Sequence, residues 1–187
     1  MSRDTEQAIL EATAQLLSER DLPEISLEEI AARARVSKAS IYRRWQSKGA
    51  LAFDAFVATF LDMQPEPDTG SLHDDLLAAL GNWVRTVDGT PTGRTLRGLV
   101  AEVQCNAELA AAWRERFVGP VRARHSVMAE RAIARGELRP DVDVPLLIDL
   151  LYGPAYHRLL QGHLPLDGAF VTGVVDAVIA ACRAGAI

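Results

Sequence analysis

Cysteine is nearly absent from this chain: Cys105 and Cys182 are the only two in 187 residues, far apart and with neither a CxxC spacing nor histidine-rich neighbours. No disulfide framework or cysteine-based metal motif is supported, so two buried free thiols are expected, with a redox-sensing pair as the alternative. Long apolar runs are missing too. No stretch approaches the ~20 residues that span a bilayer, and the polar start Met1 to Gln7 lacks the apolar part of a secretory signal. A soluble, cytoplasmic protein with no membrane partner is therefore expected. Catalytic punctuation is also lacking, with no GxGxxG, GxxxxGK[ST], HExxH or GxSxG. The four histidines His73, His125, His157 and His163 are scattered, and the six-residue interval between the last two is wider than the three or four favoured by a metal pair. Neither an enzyme, a metal nor a cofactor is expected. No segment sustains strand alternation, and there are no repeats or low-complexity tracts.

One further scarcity is local. The chain carries 25 acidic against 20 basic residues, a net charge of −5, yet residues 30 to 50 hold Arg33, Arg35, Lys38, Arg43, Arg44 and Lys48 with no Asp or Glu. Positive charge gathered in one short stretch of an acidic chain suits a polyanionic partner. The same stretch has two helix starts. Ser26 with Glu29 reads as a capping box, flanked by Ile25 and Ile30 at staple positions, and Ser37 reads as the N-cap of a helix from Lys38 to Trp45, stapled by Val36 and Ile41. Between the helices lies Ala34-Arg35-Val36-Ser37. Ile30, Ala31, Ala34, Val36, Ile41 and Trp45 are spaced to bury one shared face, as a helix-turn-helix requires.

On the second helix Lys38, Ala39, Ser40, Tyr42, Arg43 and Arg44 remain outside that face. Ser40 can donate or accept at a base edge, Ala39 is small enough to touch a thymine methyl, and Lys38 can reach guanine or phosphate. Tyr42, Arg43 and Lys48 suit phosphates, which position a protein without reading sequence. Ser47 is the candidate N-cap of the next helix, whose free N–H groups also favour a phosphate beside Lys48. An ordinary helical hairpin with a solvated basic face is the competing reading, and the charge distribution argues against it.

The pattern Ala8, Ala12-Thr13-Ala14-Gln15-Leu16-Leu17, Ser26, Ile30-Ala31, Ala34-Arg35-Val36-Ser37, Ile41-Tyr42, Trp45, Lys48 and Leu51 resembles the N-terminal domain of the TetR family of transcriptional repressors over about residues 5 to 55. The resemblance implies an all-α protein: a three-helix DNA-binding domain followed by a helical ligand-binding and dimerisation domain. By that resemblance the DNA-contacting set is Ser26, Arg35, Ser37, Lys38, Ala39, Ser40, Tyr42, Arg43, Arg44 and Lys48. Two positions depart from the family pattern. Arg35 stands where Gly is common in the turn, implying either positive φ with modest strain or a slightly different turn. Gly49 stands where an acidic residue is common.

Helix-breaking residues then divide the chain. A first helix is expected over about Thr5 to Glu19, a fourth from about 48 to 63, a break at Gln64 to Gly70, and a restart at Ser71 with Asp74. Further breaks are expected at Asp88 to Gly93, near Asn106, at Gly119-Pro120, at Gly136 to Asp143 and at Gly162 to Asp167. The expected layout is a helix-turn-helix domain over 1–50, a connecting fourth helix, and a regulatory domain over 51–187, with nine or ten helices in all. A content of 49% hydrophobic residues is enough for a substantial core.

The last two expected helices, about Val144 to Gln161 and Gly168 to Arg183, carry more apolar residues than one core-facing stripe needs. The resemblance makes them a homodimer bundle, with Leu147, Leu151, Pro154, Leu159, Phe170, Val174 and Val178 at the interface. The alternative is a monomer's core. A dimer would place two recognition helices ~34–36 Å apart on a palindromic operator of double-stranded DNA. The resemblance also implies a small-molecule effector in the regulatory domain. Candidate lining residues are Phe60, Trp83, Val87, Leu99, Val103, Trp113, Phe117, His125, Met128 and Tyr152, each of which could equally be core. Their character suits a hydrophobic or aromatic ligand. A TetR-type protein without any such ligand, architectural or controlled by a protein partner, is the rival.

Overall fold

The computed structural model describes residues 3–64 and 66–187. Met1 and Ser2 of the polar start, and Pro65 of the expected interruption, lie outside the described residues. Among the described residues every regular element is helical, so the fold is all-α, built of ten α-helices and three short 3-10 or π turns.

Helix α1 (Arg3–Glu19) buries Ile9, Ala12, Thr13, Leu16 and Leu17, one stripe at helical spacing. Thr13 is polar but satisfied, since its hydroxyl donates to the Ile9 carbonyl at 2.7 Å. Helices α2 (Leu27–Arg33), α3 (Lys38–Tyr42) and α4 (Lys48–Phe60) follow, each opened by a serine whose hydroxyl accepts a backbone N–H: Ser26, Ser37 and Ser47. Then come α5 (Leu72–Val87), α6 (Pro91–Cys105), α7 (Ala107–Trp113), α8 (Gly119–Ala134), α9 (Val144–Gln161) and α10 (Gly168–Ala184). Ser71, Thr90, Asn106, Asp143 and Asp167 cap α5, α6, α7, α9 and α10 in the same way.

The expected break at Gly119-Pro120 does not occur. Five residues, Arg114–Val118, instead form a π turn that leads into α8 with Pro120 in its first turn. Widening the helix before a proline relieves the clash of its ring with the preceding turn, and the first turn is where a missing N–H costs least. Pro154 inside α9 likewise leaves the helix continuous.

The chain divides into two compact units. The first comprises the residues through Met63 together with Gly89–Phe117, and so holds α1 to α4, α6 and α7. Phe53, Phe56 and Phe60 of α4 pack on Trp113 and Phe117, with ring centroids 4.6–6.5 Å apart. Gly49 is buried at the start of α4, and a Cβ there would collide with the Glu102 carboxylate of α6. Glycine at this position therefore admits a carboxylate from another helix to the N-terminal turn of α4, where the resemblance would place an acidic side chain.

The second unit comprises Gln64–Asp88 with Val118–Ile187, and so holds α5, α8, α9 and α10. Its segment ahead of α5 is fastened to α8 by polar groups. The wholly buried Asp75 accepts from the Thr69 N–H at 2.7 Å and the Thr69 hydroxyl at 2.8 Å, while its other oxygen lies 3.7 Å from the Arg135 guanidinium. Arg131 donates to the Pro67 carbonyl at 2.6 Å, and Glu137 accepts the Leu72 N–H at 2.7 Å.

Both cysteines are free thiols, but only Cys182 is buried. Cys105, expected inside, is exposed as the last residue of α6, a helix end that leaves it on the water side.

Candidate nucleic-acid interface

The reader is built from its caps outward. Ser26 and Glu29 form the reciprocal box, with the Ser26 hydroxyl 3.2 Å from the Glu29 N–H and the Ser26 N–H 2.8 Å from the Glu29 carboxylate. The Ser26 backbone bond, then Arg20 at 2.7 Å and the Ser26 hydroxyl, lower the Glu29 pKa to about 2. The turn that follows is left-handed at Arg35, with φ 55°, the one described non-glycine residue with positive φ. The Val36 N–H then returns to the Ala31 carbonyl at 2.9 Å, and the turn closes.

Regular helix in α3 stops at Tyr42, earlier than the expected Trp45. Backbone bonds from Arg43, Arg44 and Trp45 to the Ala39 and Ile41 carbonyls prolong it by one looser turn. Ile41 and Trp45 are buried. Ser37, Lys38, Ala39, Tyr42, Arg43 and Arg44 are exposed and Ser40 half-buried, so one side of this short helix is free to enter a groove. Tyr42 has 52% of its surface exposed, which is unusual for a large aromatic with no core to cover.

The side chains on that face are not independent. The Ser37 and Ser40 hydroxyls are 3.0 Å apart, and Arg43 donates to the Ser40 hydroxyl at 3.1 Å. Lys38 pairs with Glu28 and lies 5.7 Å from the Tyr42 ring centroid. That bond is the main cause of a raised Lys38 pKa and a lowered Glu28 pKa. Arg44 lies 3.5 Å from Glu6, and Arg33 makes two bonds to Glu19 at 2.5 and 3.1 Å. Three of the six basic residues that stood out in the sequence thus have carboxylate partners from α1 and α2. Their separations of 10, 14 and 38 positions gave the sequence no signal. Arg35 and Arg43 have no carboxylate partner among the described residues.

Two members of the expected contact set are engaged elsewhere. Ser26 is spent on its capping box. Lys48 donates to the Ile25 carbonyl at 2.8 Å and the Pro23 carbonyl at 3.2 Å, fastening the start of α4 to the turn before α2. One sequence-silent residue completes the frame. Asp54 of α4 accepts the Trp45 indole N–H at 2.9 Å and an Arg116 guanidinium N–H at 2.8 Å.

The candidate effector residues divide between the two units. Phe60, Leu99, Trp113 and Phe117 are buried in the first, and Val103 is half-buried there on α6. Trp83, Val87, His125, Met128 and Tyr152 belong to the second. Within it the rings of Trp83, His125 and Tyr152 meet, joined by Tyr156, which sequence reasoning did not single out.

The candidate dimer residues need a correction of phase. Leu147, Leu151 and Leu159 are buried inside the chain's own second unit. The exposed stripe of α9 is instead Leu146, Leu150, Gly153, Pro154, His157 and Leu160. Because α9 is apolar on both faces, its periodicity does not distinguish inward from outward. Pro154, Phe170, Val174 and Val178 do line an open groove of about 770 Å³ between α9 and α10, together with Leu150 and Gly173. No described helix is long and apolar enough to cross a membrane.

Comparison with known proteins agrees with this architecture. Residues 9–55 match the profile of bacterial regulatory proteins of the tetR family, and residues 66–178 match the tetracyclin repressor-like C-terminal domain. The chain is 38% identical to the uncharacterized HTH-type transcriptional regulator YdeS of Bacillus subtilis, over 91% of this chain and 86% of that protein. It is 34% identical to the DNA-binding transcriptional repressor TetR of Mycobacteroides abscessus, over 92% and 90% of the two chains. The crystal structure of the TetR family transcription regulator SCO0332 superposes with a TM-score of 0.84 at 37% identity, covering 95% of this chain and 98% of that one.

Proposed function

Because the chain belongs to the TetR family of transcriptional regulators, we propose that it is a repressor that grips a palindromic operator as a homodimer and releases it when a small hydrophobic or aromatic ligand binds. The observation that carries this reading is the free side of α3. A five-residue helix, capped at Ser37 and held by buried Ile41 and Trp45, exposes Lys38, Ala39, Tyr42 and Arg43 with Ser40 between them. Small, hydroxyl, aromatic and cationic groups on one short face suit a major groove. Ser40 and Ala39 are assigned to base edges, Lys38 to a base edge or a neighbouring phosphate, Arg35, Tyr42, Arg43 and Arg44 to phosphates, and Ser37 to the cap that presents them. Ser26 and Lys48 are assigned to holding α2 and α4 in place beside the DNA.

A single helix of this length has little affinity, and two-fold pairing supplies the second half-site. The exposed leucines of α9 and the groove beside α10 support a homodimer through these two helices. Since α4 and α6 share a compact unit with the reader, a ligand acting in the other unit would release DNA by changing the separation of the two readers. Reciprocity then requires operator DNA to weaken ligand binding by the same factor.

The test is selection of bound fragments from random and genomic DNA by the purified protein, with its mass measured alone and in complex. A palindromic consensus held by one or two dimers supports the proposal and supplies a probe for ligand screening. No enrichment at moderate salt overturns it in favour of an architectural or protein-controlled role.

A further inference from the structure

His157 and His163, six positions apart in the sequence, meet at the end of α9. On one unbroken helix six residues turn through about 600°, which would leave the two side chains on different faces. The helix ends first. Gly162, with φ 63°, closes α9 in the left-handed conformation, and its N–H bonds the Arg158 carbonyl at 2.8 Å. The chain then turns back and sets the His163 ring beside that of His157, with centroids 5.0 Å apart and planes crossing at 69°.

That spacing is one a shared metal ion would impose. Two imidazoles bound to one ion at metal–nitrogen distances of ~2.0–2.1 Å hold their centroids about 4.5–5.2 Å apart, for bond angles from octahedral to tetrahedral. Each nitrogen lone pair lies in its ring plane, so crossed planes share a line on which both can converge, as stacked rings do not. Both residues are exposed, within reach of an ion in water. The other two histidines are committed at both ring nitrogens. His73 meets Asp176 at 3.0 Å and Asp74 at 3.3 Å, and His125 meets the Val121 carbonyl and the Tyr152 hydroxyl, each at 2.7 Å. Among the described residues the His157 and His163 nitrogens have no such partner. Their mounting is firm on both sides. His157 stands on regular helix, and Arg158 pins the following loop by donating to the Pro165 carbonyl at 2.6 Å while lying 4.1 Å over the Phe170 ring. Asp167, the one carboxylate of this loop, caps α10 by accepting the Phe170 N–H at 2.8 Å.

We propose that His157 and His163 form a bidentate site for a late first-row divalent ion of the zinc, nickel and copper class, with water in the remaining positions, and that the ion fastens the α9–α10 loop to the end of α9. Imidazole suits these ions, whereas magnesium and calcium take oxygen ligands. Leu164, Pro165 and Asp167 of the same loop line the groove between α9 and α10, so a bound ion stiffens one wall of that groove.

Calorimetric titration of the full-length, tag-free protein, first stripped with EDTA, tests the site with NiCl2, ZnCl2 and MgCl2 at neutral pH. Nickel and zinc are expected to bind at one ion per chain, and magnesium not at all. His157→Ala and His163→Ala should each weaken nickel about tenfold or more, since losing even an outer group that orients a metal ligand costs ~10–100-fold. His73→Ala should leave it unchanged. Deuterium exchange read by mass spectrometry should show the amides of residues 162–164 slowed by ZnCl2 in the wild type and not in His163→Ala. No binding of nickel or zinc, binding that survives either substitution, or one ion per two chains would overturn the site. Binding that leaves exchange in the loop unchanged would overturn its fastening role.

Discussion

Asp54→Ala should destabilise this protein more than the exposure of a surface carboxylate suggests, because Asp54 is the acceptor on which the end of the reader depends. One oxygen takes the Trp45 indole N–H at 2.9 Å and the other takes Arg116 at 2.8 Å. Trp45 is 3% exposed, and the Asp54 side chain 11%. Truncation strands a buried indole donor, at a cost of about 1–3 kcal/mol. Loss of the half-exposed Arg116 pair adds at most about 1 kcal/mol. A total near 2–3 kcal/mol lowers Tm by about 4–12 °C in a chain of this length. Thermal denaturation followed by circular dichroism reads the change directly. Asp54→Asn keeps an acceptor for the indole and should lose no more than half as much. A double-mutant cycle with Trp45→Phe should show a coupling of about 1 kcal/mol or more, since the second substitution removes the donor that the first one strands. A loss under about 0.5 kcal/mol for Asp54→Ala, or a cycle without coupling, would refute the reasoning.

Arg35→Gly should raise Tm by about 1–3 °C, because a left-handed L-residue costs about 1–2 kcal/mol and glycine returns about 0.5–1 kcal/mol of that through its freer unfolded chain; the same change should weaken DNA binding on filter retention, and a lower Tm would show that the turn is not strained. Glu29 has a folded pKa of about 2 against an ordinary 4.5, so its stabilisation is fully present above pH 4.5 and disappears as pH falls toward 2; Glu29→Gln should flatten the melting-temperature profile across that window, and an unchanged profile counts against the box. Arg135→Leu removes the cation facing wholly buried Asp75 and should lower Tm more than Asp68→Asn on the exposed side of the same cluster. Leu150→Glu, on the exposed stripe of α9, should yield monomers on gel filtration with the helical content intact, and a dimer that survives it would place the pairing surface elsewhere.

How much of this was legible in the sequence depended on the range of the interactions involved. Caps act over three residues, so Ser26, Ser37, Ser47 and Ser71 could be read from spacing alone, whereas the caps at Thr90, Asn106, Asp143 and Asp167 were not singled out. The positive φ of Arg35 was one of two readings left open, and it was raised only because the family resemblance places Gly at that position of the turn. What escaped was carried by partners distant in the chain. Glu28, Glu19 and Glu6 neutralise cations that looked free within their own window, and Asp54 meets Trp45 and Arg116 across nine and 62 positions. Lys48 looked like a phosphate ligand until Pro23 and Ile25 presented their carbonyls to it. The phase of α9 was undecidable for a different reason: a helix apolar all round has no polar side to mark the outside.

The carboxylates behind the reader also change what its salt dependence should be. Affinity for duplex DNA falls with salt with a slope of about −0.9 per phosphate neutralised. If the intramolecular pairs persist on DNA, each reader brings only Arg35 and Arg43 to phosphates. A dimer then neutralises about four phosphates, for a slope near −3.6. Glu28→Gln releases Lys38 in each protomer, adding about two contacts and steepening the slope by about 1.8. Affinity at low salt should rise roughly two- to fivefold per half-site, the range set by an exposed ion pair. The alternative is that phosphate already displaces Glu28 in the wild-type complex. In that case Glu28→Gln raises affinity by removing the competitor but leaves the slope unchanged, since Lys38 is counted in both proteins. Titrations of one operator fragment at four or five salt concentrations separate these outcomes. If neither slope nor affinity moves, Lys38 does not face phosphate at all, and its place on α3 must be explained by base contact or by its bond to Glu28 alone.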